Sequence, residues 1–319
     1  MRIGVIIPAY NVAPWIAQAI WSVIDQTYRD WSLVIVNDGS TDATPEIIRR
    51  FSDSRLTGLH GANYGVSAAR NRGIAAAADA DALLFLDGDD WLAPDALATL
   101  ARTLQDAPDA VAAAAGYVRV GADRSHRTVR ISASGDMLRQ LLVRNLFING
   151  GHLLIRRTAI NAVGLFDTAL SYGEDWHYWT RLATFGPFVT VRGSPPLLYL
   201  RERTGSAYRT MAHSPARFGP CLDAIYHHPC ITARFPPSDL AQLRRRAEAE
   251  NDWVVGRELI RHGHSHEGRS WLLRSVKAVP SARRIGLLCA SWSGFGPFRP
   301  YAASASTNRR GTACTGMAA

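Results

Sequence analysis

The stretch Ile3–Ile24, IGVIIPAYNVAPWIAQAIWSVI, decides the class of the fold. Ile3–Ile7 is a short run with no polar break, the pattern of a strand buried on both faces. Pro8 bounds it, and Pro14 then stands where the first turn of a helix tolerates a missing N–H. Trp15, Ile16, Ala19, Ile20, Val23 and Ile24 return at helical spacing. The unit repeats along the chain. Ser32–Val36 reads as a strand ending at Asn37-Asp38-Gly39-Ser40. A helix follows, with Thr44 as N-cap, Pro45 at its first position, and Ile47, Ile48 and Phe51 turned inward. A weaker strand at Leu56–His60 precedes a helix over Val66–Ala77. Ala82–Leu86 ends at Asp87-Gly88-Asp89-Asp90, and a helix covers Pro94–Leu104. Four strand–helix units in succession predict an α/β fold: a Rossmann-like, mainly parallel sheet with helices on both faces.

Beyond Ala107 the order is mixed. Val111–Val120 and Leu153–Arg156 read as strands, Ser134–Arg144 and Glu174–Phe185 as helices, and Phe188–Leu200 as extended chain. Past Ser206 a helical extension is expected over roughly Pro215–His227, Ser238–His262 and Ser265–Ala278. Ile285–Phe298 is apolar, flanked by Arg283, Arg284 and Arg299, and too short to span a bilayer. Its readings are a loosely packed segment or an interfacial anchor. The Ala/Ser/Thr/Gly-rich tail beyond Tyr301 reads as disordered.

The composition, 47% hydrophobic and 20% charged over 319 residues, excludes a disordered chain. Cys221, Cys230, Cys289 and Cys314 show no CxxC spacing and read as reduced thiols, not as a zinc site or a disulfide frame. A strand that starts at Ile3 leaves no room for a signal peptide, so a cytoplasmic protein is expected. The net charge of +9 is unevenly placed: residues 1–105 carry −4, residues 106–205 carry +4 and residues 206–319 carry +9. An acidic first third does not suit a nucleic-acid surface. The basic end suggests peripheral attachment to the anionic inner face of a membrane.

Ligands of parallel α/β sheets bind outside the carboxyl ends of the strands. Three polar clusters fall there: Pro8–Asn11, Asn37–Asp42 and Asp87–Asp90. A dinucleotide site would need GxGxxG after the first strand, but Pro8-Ala9-Tyr10-Asn11-Val12-Ala13 stands there. A Walker A loop is also absent. A diphosphate must then be neutralised otherwise, and Asp87-Gly88-Asp89 offers carboxylates that hold a hard divalent cation.

Taken together, PAYN after the first strand, NDGSTD after the second, NYGVSAARN opening the third helix and LDGDDWL after the fourth strand resemble the bacterial family 2 glycosyltransferases of the GT-A fold. The resemblance continues through Gly164-Leu165-Phe166-Asp167, Gly173-Glu174-Asp175-Trp176 and Arg181, over roughly residues 3–205. It implies an inverting transferase that moves a sugar from a nucleoside diphosphate sugar, by default a uridine diphosphate one. The acceptor would be a hydroxyl of a glycan or lipid-linked molecule, in cell-surface polysaccharide synthesis. Residues 1–105 would form the donor half of the GT-A domain and residues 106–205 the acceptor half. Residues 206–280 would be a helical extension, and residues 281–319 a basic, apolar segment and flexible tail.

By the same resemblance Pro8, Ala9 and Tyr10 bind the nucleoside, with Tyr10 against the base. Asp38 accepts a base N–H and Arg70 contacts the same region, while Asp42 either joins them or caps the following helix. Asp89 lies nearest a Mn²⁺ or Mg²⁺ ion and Asp87 towards ribose or metal, with Asp90 sharing either task. Asp175 is the expected base, Glu174 orients the acceptor or its loop, and Trp176 stacks on a sugar ring or packs. Many relatives carry a metal-binding His after the last strand. Here Tyr199–Ser206 contains none, which leaves a third protein ligand open and makes Arg201 or Arg203 a diphosphate partner. His262, His264 and His266 read as a solvated loop. The rival readings are a nucleotidyltransferase, whose Gly-rich loop after the first strand is lacking, and a non-catalytic nucleotide-sugar-binding module.

Overall fold

A computed structural model describes residues 1–292 apart from 122, 124, 132, 133, 194 and 204–217. The expected tail beyond Tyr301, Thr204–Ser206, Cys314 and the end of the 285–298 segment lie outside the described residues. The chain begins β1 (Ile3–Ala9), α1 (Ile16–Ile24), β2 (Trp31–Asp38), α2 (Thr44–Arg49), β3 (Leu56–Gly61), α3 (Val66–Ala76), β4 (Ala82–Phe85), β5 (Trp91–Leu92) and α4 (Ala96–Gln105). It continues β6 (Ala112–Ala114), β7 (Tyr117–Val120), β8 (His126–Val129), α5 (Leu138–Leu141), β9 (Leu153–Arg156), α6 (Arg157–Val163), α7 (Glu174–Leu182), β10 (Phe188–Thr190) and β11 (Leu198–Arg201).

Seven strands form the main sheet in the order β10-β6-β9-β4-β1-β2-β3. All neighbours pair in parallel except β9, which runs antiparallel to both β4 and β6. The carboxyl ends of β1, β2 and β4 therefore open on one edge. Strands from residues 1–105 and from 106–205 share this sheet, so the two expected halves form one body. Successive β1 residues feed opposite faces: Ile6 joins Ala69, Phe85 and Trp179, while Val5 and Ile7 join Ile16, Ile20 and Leu100. Burying each such side chain contributes about 1.5–3 kcal/mol. A second sheet, β5-β11-β7-β8, stands beside the first.

Several elements differ from expectation. Pro8 does not end β1, which pairs with β2 as far as Ala9–Asn37; a proline costs one ladder donor but keeps an extended φ. Thr44 is not the cap of α2 but its first residue, and its Oγ1 accepts the Val12 N–H at 3.0 Å. The Val111–Val120 run breaks into β6 and β7, which belong to different sheets. The expected helix over Ser134–Arg144 shrinks to α5. Gly135 exchanges two backbone hydrogen bonds with Phe188 (2.8 and 3.0 Å), and Ser134 Oγ accepts from Thr190, so the segment's start joins the sheet.

The C-terminal part is helical over Phe218–Tyr226, Pro229–Thr232, Pro237–Arg261, Ser265–Ala278 and Ala282–Ala290. The third and fourth of these cross where Gly256 meets Gly268. A Cβ on Gly256 would lie 2.6 Å from the Gly268 carbonyl oxygen, so only glycine permits this approach. Helix Ala282–Ala290 buries Arg284 and packs Leu287 and Leu288 against Ile260 and Leu272, an ordered start to what reads as a loose segment.

Candidate active site

The loops that follow β1 and β2 are tied together. Asn11 takes a left-handed φ of 50°. Its N–H donates to Ser40 Oγ (3.0 Å), and its Oδ1 accepts the Thr41 N–H (2.8 Å). Asp42 accepts from the backbone of Ala13 (3.1 Å) and Thr44 (3.0 Å), which holds its carboxyl below the ordinary carboxylate range, although burial opposes the shift. Asp42 thus braces the start of α2 without being its cap, since the N-cap is Ala43 and has no side-chain cap. Pro8 and Ala9 form the floor at the end of β1, and Tyr10 stands 48% exposed above them. Asp38 is buried, and its two oxygens accept the N–H groups of Tyr64 (3.0 Å) and Gly65 (2.8 Å) at the entry to α3. It therefore orders the NYG loop as well as facing the strand end.

The turn after β4 gathers three carboxylates with different partners. Asp87 remains partly exposed and receives Arg70 at Oδ1 (3.2 Å) and Asn149 at Oδ2 (3.3 Å). Asp89 pairs with Arg203, Nε to Oδ2 at 2.6 Å. Burial and the neighbouring Asp87 push its carboxyl up, against the pull of Arg203. Asp90 is 3% exposed and turned inward; its oxygens accept Asn149 Nδ2 (2.8 Å) and the Arg201 N–H (2.9 Å). Burial, with Asp89 and Asp87 beside it, pushes its carboxyl well above the ordinary range. Each Asp90 oxygen thus accepts one hydrogen bond that holds the turn. Arg201 completes the wall, donating to the Asp89 carbonyl (3.2 Å) and to Gln18 (2.7 Å) above Trp91.

Gly173 starts α7 in a left-handed conformation (φ 71°), packed against Cys221, whose thiol points to the Gly173 carbonyl (3.2 Å). The turn sets Glu174 and Asp175 on the first helical positions, where the helix dipole favours negative charge. Asp175 Oδ1 accepts the Trp176 N–H at 2.6 Å and Oδ2 accepts Asn145 Nδ2 at 3.3 Å. Burial, then the neighbouring Glu174, raise the Asp175 carboxyl to about 7; Arg70 and the two hydrogen bonds oppose that rise. This poises the carboxyl for proton transfer near neutral pH.

One expected site residue stands elsewhere, and another keeps the site with different partners. Trp176 is 4% exposed and donates its indole N–H to the Leu141 carbonyl (2.6 Å), so it packs in the core and does not stack on a sugar. Arg70, expected at the nucleoside, is 4% exposed and held between Asp87 and Glu174 (2.9 Å). Glu174 is accordingly directed to Arg70. The 164–167 motif is scaffold: Asn71 exchanges two hydrogen bonds with Phe166, and Arg181 donates to the carbonyls of Val163 and Leu165. Asn145, Asn149 and Trp15 are site residues that sequence reading passed over. Lone asparagines in a loop carry no periodic signal, and Trp15 reads as one more apolar residue of its helix, although the Arg203 guanidinium lies 4.9 Å from its ring.

The donor set tests the expected cation. Asp87 and Asp89 offer oxygen ligands alone, and no group of three His, Cys, Asp or Glu side chains among the described residues is arranged to hold a metal. Two carboxylates fit a hard divalent ion whose remaining positions are filled by phosphate and water. Burial, then like-charge crowding on the turn, lift Asp89 and Asp90, and such an ion would offset the like charge.

Comparison with known proteins identifies the family and the fold. Residues 4–164 match the family described as Glycosyl transferase family 2. Glycosyltransferase GlyA of Streptococcus pneumoniae is 43% identical over 101 residues, 31% of this chain and 14% of that protein. An uncharacterized glycosyltransferase of Bacillus subtilis, EpsJ, is 29% identical over 229 residues, 67% of this chain and 64% of its own. The chain thus spans less than two thirds of the length of these relatives. Among solved structures, Staphylococcus aureus TarS 1–349 in complex with UDP-GlcNAc matches with a TM-score of 0.56 at 16% identity, covering 90% of this chain and 92% of that one. The mannosyltransferase PcManGT of Pyrobaculum calidifontis in complex with GDP-Man and Mn²⁺ matches with a TM-score of 0.59 at 22% identity, covering 93% and 82%. These likenesses show the fold, the GT-A arrangement that the motifs imply.

Proposed function

The chain belongs to glycosyl transferase family 2, and from that premise we propose that it is an inverting glycosyltransferase acting on a nucleoside diphosphate sugar. One observation carries the reading: a single guanidinium, that of Arg70, contacts both the Asp87 turn and Glu174, so the acidic donor turn and the Glu174-Asp175 pair border one site. The nucleoside lies along Tyr10 and Asp38, and the diphosphate meets the Asp87–Asp89 turn with Arg201 and Arg203 close by. A uridine diphosphate donor is the first to test, since TarS is solved with UDP-GlcNAc; GDP-mannose, which PcManGT holds, is the second. Asp87 and Asp89 would hold Mn²⁺ or Mg²⁺, which when bound neutralises charge building on the leaving diphosphate.

Asp175 acts as base. The acceptor hydroxyl oxygen attacks the anomeric carbon from the face opposite the diphosphate, and its proton passes to the Asp175 carboxylate. The bond from anomeric carbon to phosphate oxygen breaks, and its electron pair leaves with the nucleoside diphosphate. One displacement inverts the anomeric centre, and a second carboxylate nucleophile has no task. The acceptor is a hydroxyl of a glycan or lipid-linked glycan in surface polysaccharide synthesis.

A membrane-bound acceptor agrees with the +9 of residues 206–319. It also agrees with the exposed Ile285 and with Trp292, exposed beside Arg269. No described helix is long and apolar enough to cross a membrane, so contact would be peripheral, at an anionic surface. Co-sedimentation with anionic but not neutral vesicles at low salt tests that part alone. The central test is donor turnover by the purified protein with UDP- and GDP-sugars, with and without Mn²⁺, reading the product anomer by NMR. Retention of configuration, or full transfer by Asp175→Asn, would overturn the mechanism.

A further inference from the structure

Arg70 projects from α3, between the two acidic groups of the site. Its NH1 donates to Glu174 Oε1 at 2.9 Å and its NH2 to Asp87 Oδ1 at 3.2 Å, and its guanidinium carbon lies 5.3 Å from the Phe166 ring centroid. Asp87 is 17 residues from it along the chain and Glu174 is 104. Among the described residues no other side chain forms ion pairs with both the turn after β4 and the start of α7. At 4% exposure the guanidinium is almost sealed from solvent, so its pairing is screened little and its planar fork is held in one orientation.

We propose that Arg70 is a positioning residue of the transfer reaction: its fork sets the spacing between the donor turn and the base-bearing helix, and its charge supports the Asp175 carboxylate. The inference rests on Asp175 being the base. Among the described residues, the groups facing Asp175 are few. Glu174 adjoins it on α7, Arg70 reaches it from α3, and Asn145 donates from the loop before β9. The Cys221 thiol, from helix Phe218–Tyr226, is kept protonated by burial and by the two acids. Arg70 is the one cation in this set. It opposes the rise of the Asp175 carboxyl directly, and by pairing with Glu174 it also offsets the like charge next door. The same contact explains why Glu174 precedes Asp175: it is the handle by which the donor half holds α7. A nucleoside contact, the role that the resemblance assigns to Arg70, requires none of these bonds.

The experiment is the pH dependence of kcat and of donor KM for wild type, Arg70→Gln and Arg70→Lys, alongside thermal unfolding. A positioning role predicts that Arg70→Gln lowers kcat about 10²-fold, the scale of a misplacement of roughly 1 Å. It also predicts that the acid limb of the kcat profile moves up by about one pH unit, with donor KM changed less than kcat. Arg70→Lys keeps the charge and loses the fork, so it should lose kcat while its acid limb stays near that of wild type. If both variants raise donor KM and leave kcat and the acid limb unmoved, Arg70 is a donor contact and the proposal is wrong. Should Arg70→Gln fail to fold, Arg70→Lys decides by the split between kcat and KM. A wild-type protein that transfers no sugar would overturn the transferase reading itself, an outcome distinct from either of these.

Discussion

Arg203 and Asp89 form an ion pair, Nε to Oδ2 at 2.6 Å, on the turn that a donor and its cation would use. The guanidinium neutralises the same carboxylate that the divalent ion would take, so in the absence of donor the two positive charges compete. A partly exposed pair of this kind is worth up to about 1 kcal/mol, which is roughly fivefold in affinity. Arg203→Ala should therefore bind Mn²⁺ about fivefold more tightly without donor, as read by the loss of the free-ion EPR signal. Donor affinity in saturating Mn²⁺ should fall, because the diphosphate loses a cation. Unaltered Mn²⁺ affinity would mean that the pair does not guard the metal position.

The raised carboxyl of Asp175 links activity and stability to pH with opposite signs. As a base it must be ionised, so kcat should rise with pH through about 7. Its native pKa lies above the ordinary value of 3.8. Between these two values the folded chain keeps a proton that the unfolded chain has released, and stability falls as pH rises through that window. Asp175→Asn should lose about 10²–10⁴-fold in kcat. It should also gain more in Tm over wild type at pH 8 than at pH 5, by at least ~2 °C. An equal Tm difference at both pH values would contradict the account of a partly buried, desolvated charge.

Asn149 is predicted to matter as much as the acids that it serves. Its amide donates to Asp90 at 2.8 Å and to Asp87 at 3.3 Å, and its Oδ1 accepts the Gly151 N–H at 3.0 Å. Asn149→Ala leaves the buried Asp90 oxygen without that donor, a loss of about 1–3 kcal/mol. Thermal unfolding should show it, and a Mn²⁺ titration should show weaker binding as the turn loosens. Normal Tm with normal Mn²⁺ binding would remove Asn149 from the site.

Gly173 and Cys221 provide a test of how α7 is seated. A Cβ on Gly173 would fall 2.5 Å from Cys221 Sγ, and the backbone there has a φ of +71°. Gly173→Ala should destabilise through both effects, the left-handed conformation alone costing about 1–2 kcal/mol. Adding Cys221→Ala should restore the part due to the clash and leave the part due to backbone strain. A double variant as stable as wild type would show that strain is absent.

The first four strand–helix units were legible because each strand is a short apolar run and each helix repeats its apolar residues at helical spacing. Their polar ends follow from the same reading, which is how Tyr10, Asp38, Asp87 and Asp89 came to one edge of the sheet. The later strands were harder. Val111–Val120 is continuously apolar or small until Arg119, yet it divides between two sheets, and β5 is only two residues long. Such pieces take their pairing from partners far away in the chain, and local periodicity is silent about them.

The sequence by itself determined the class of sheet, the edge where the polar clusters gather, and the acids available there, because these depend on patterns within ten or twenty residues. Tertiary structure alone decided how those acids differ. Asp87 stays partly exposed, Asp89 pairs with Arg203, Asp90 turns inward to Asn149, and Asp175 is half-buried beside Glu174. It also moved Trp176 into the core and Arg70 between the two acidic groups. The reason is physical: a carboxylate's role is set by which donors, cations and solvent reach it. Here the nearest of these, Asn149, Arg203 and Arg70, are brought in from distant parts of the chain by the packing of whole elements.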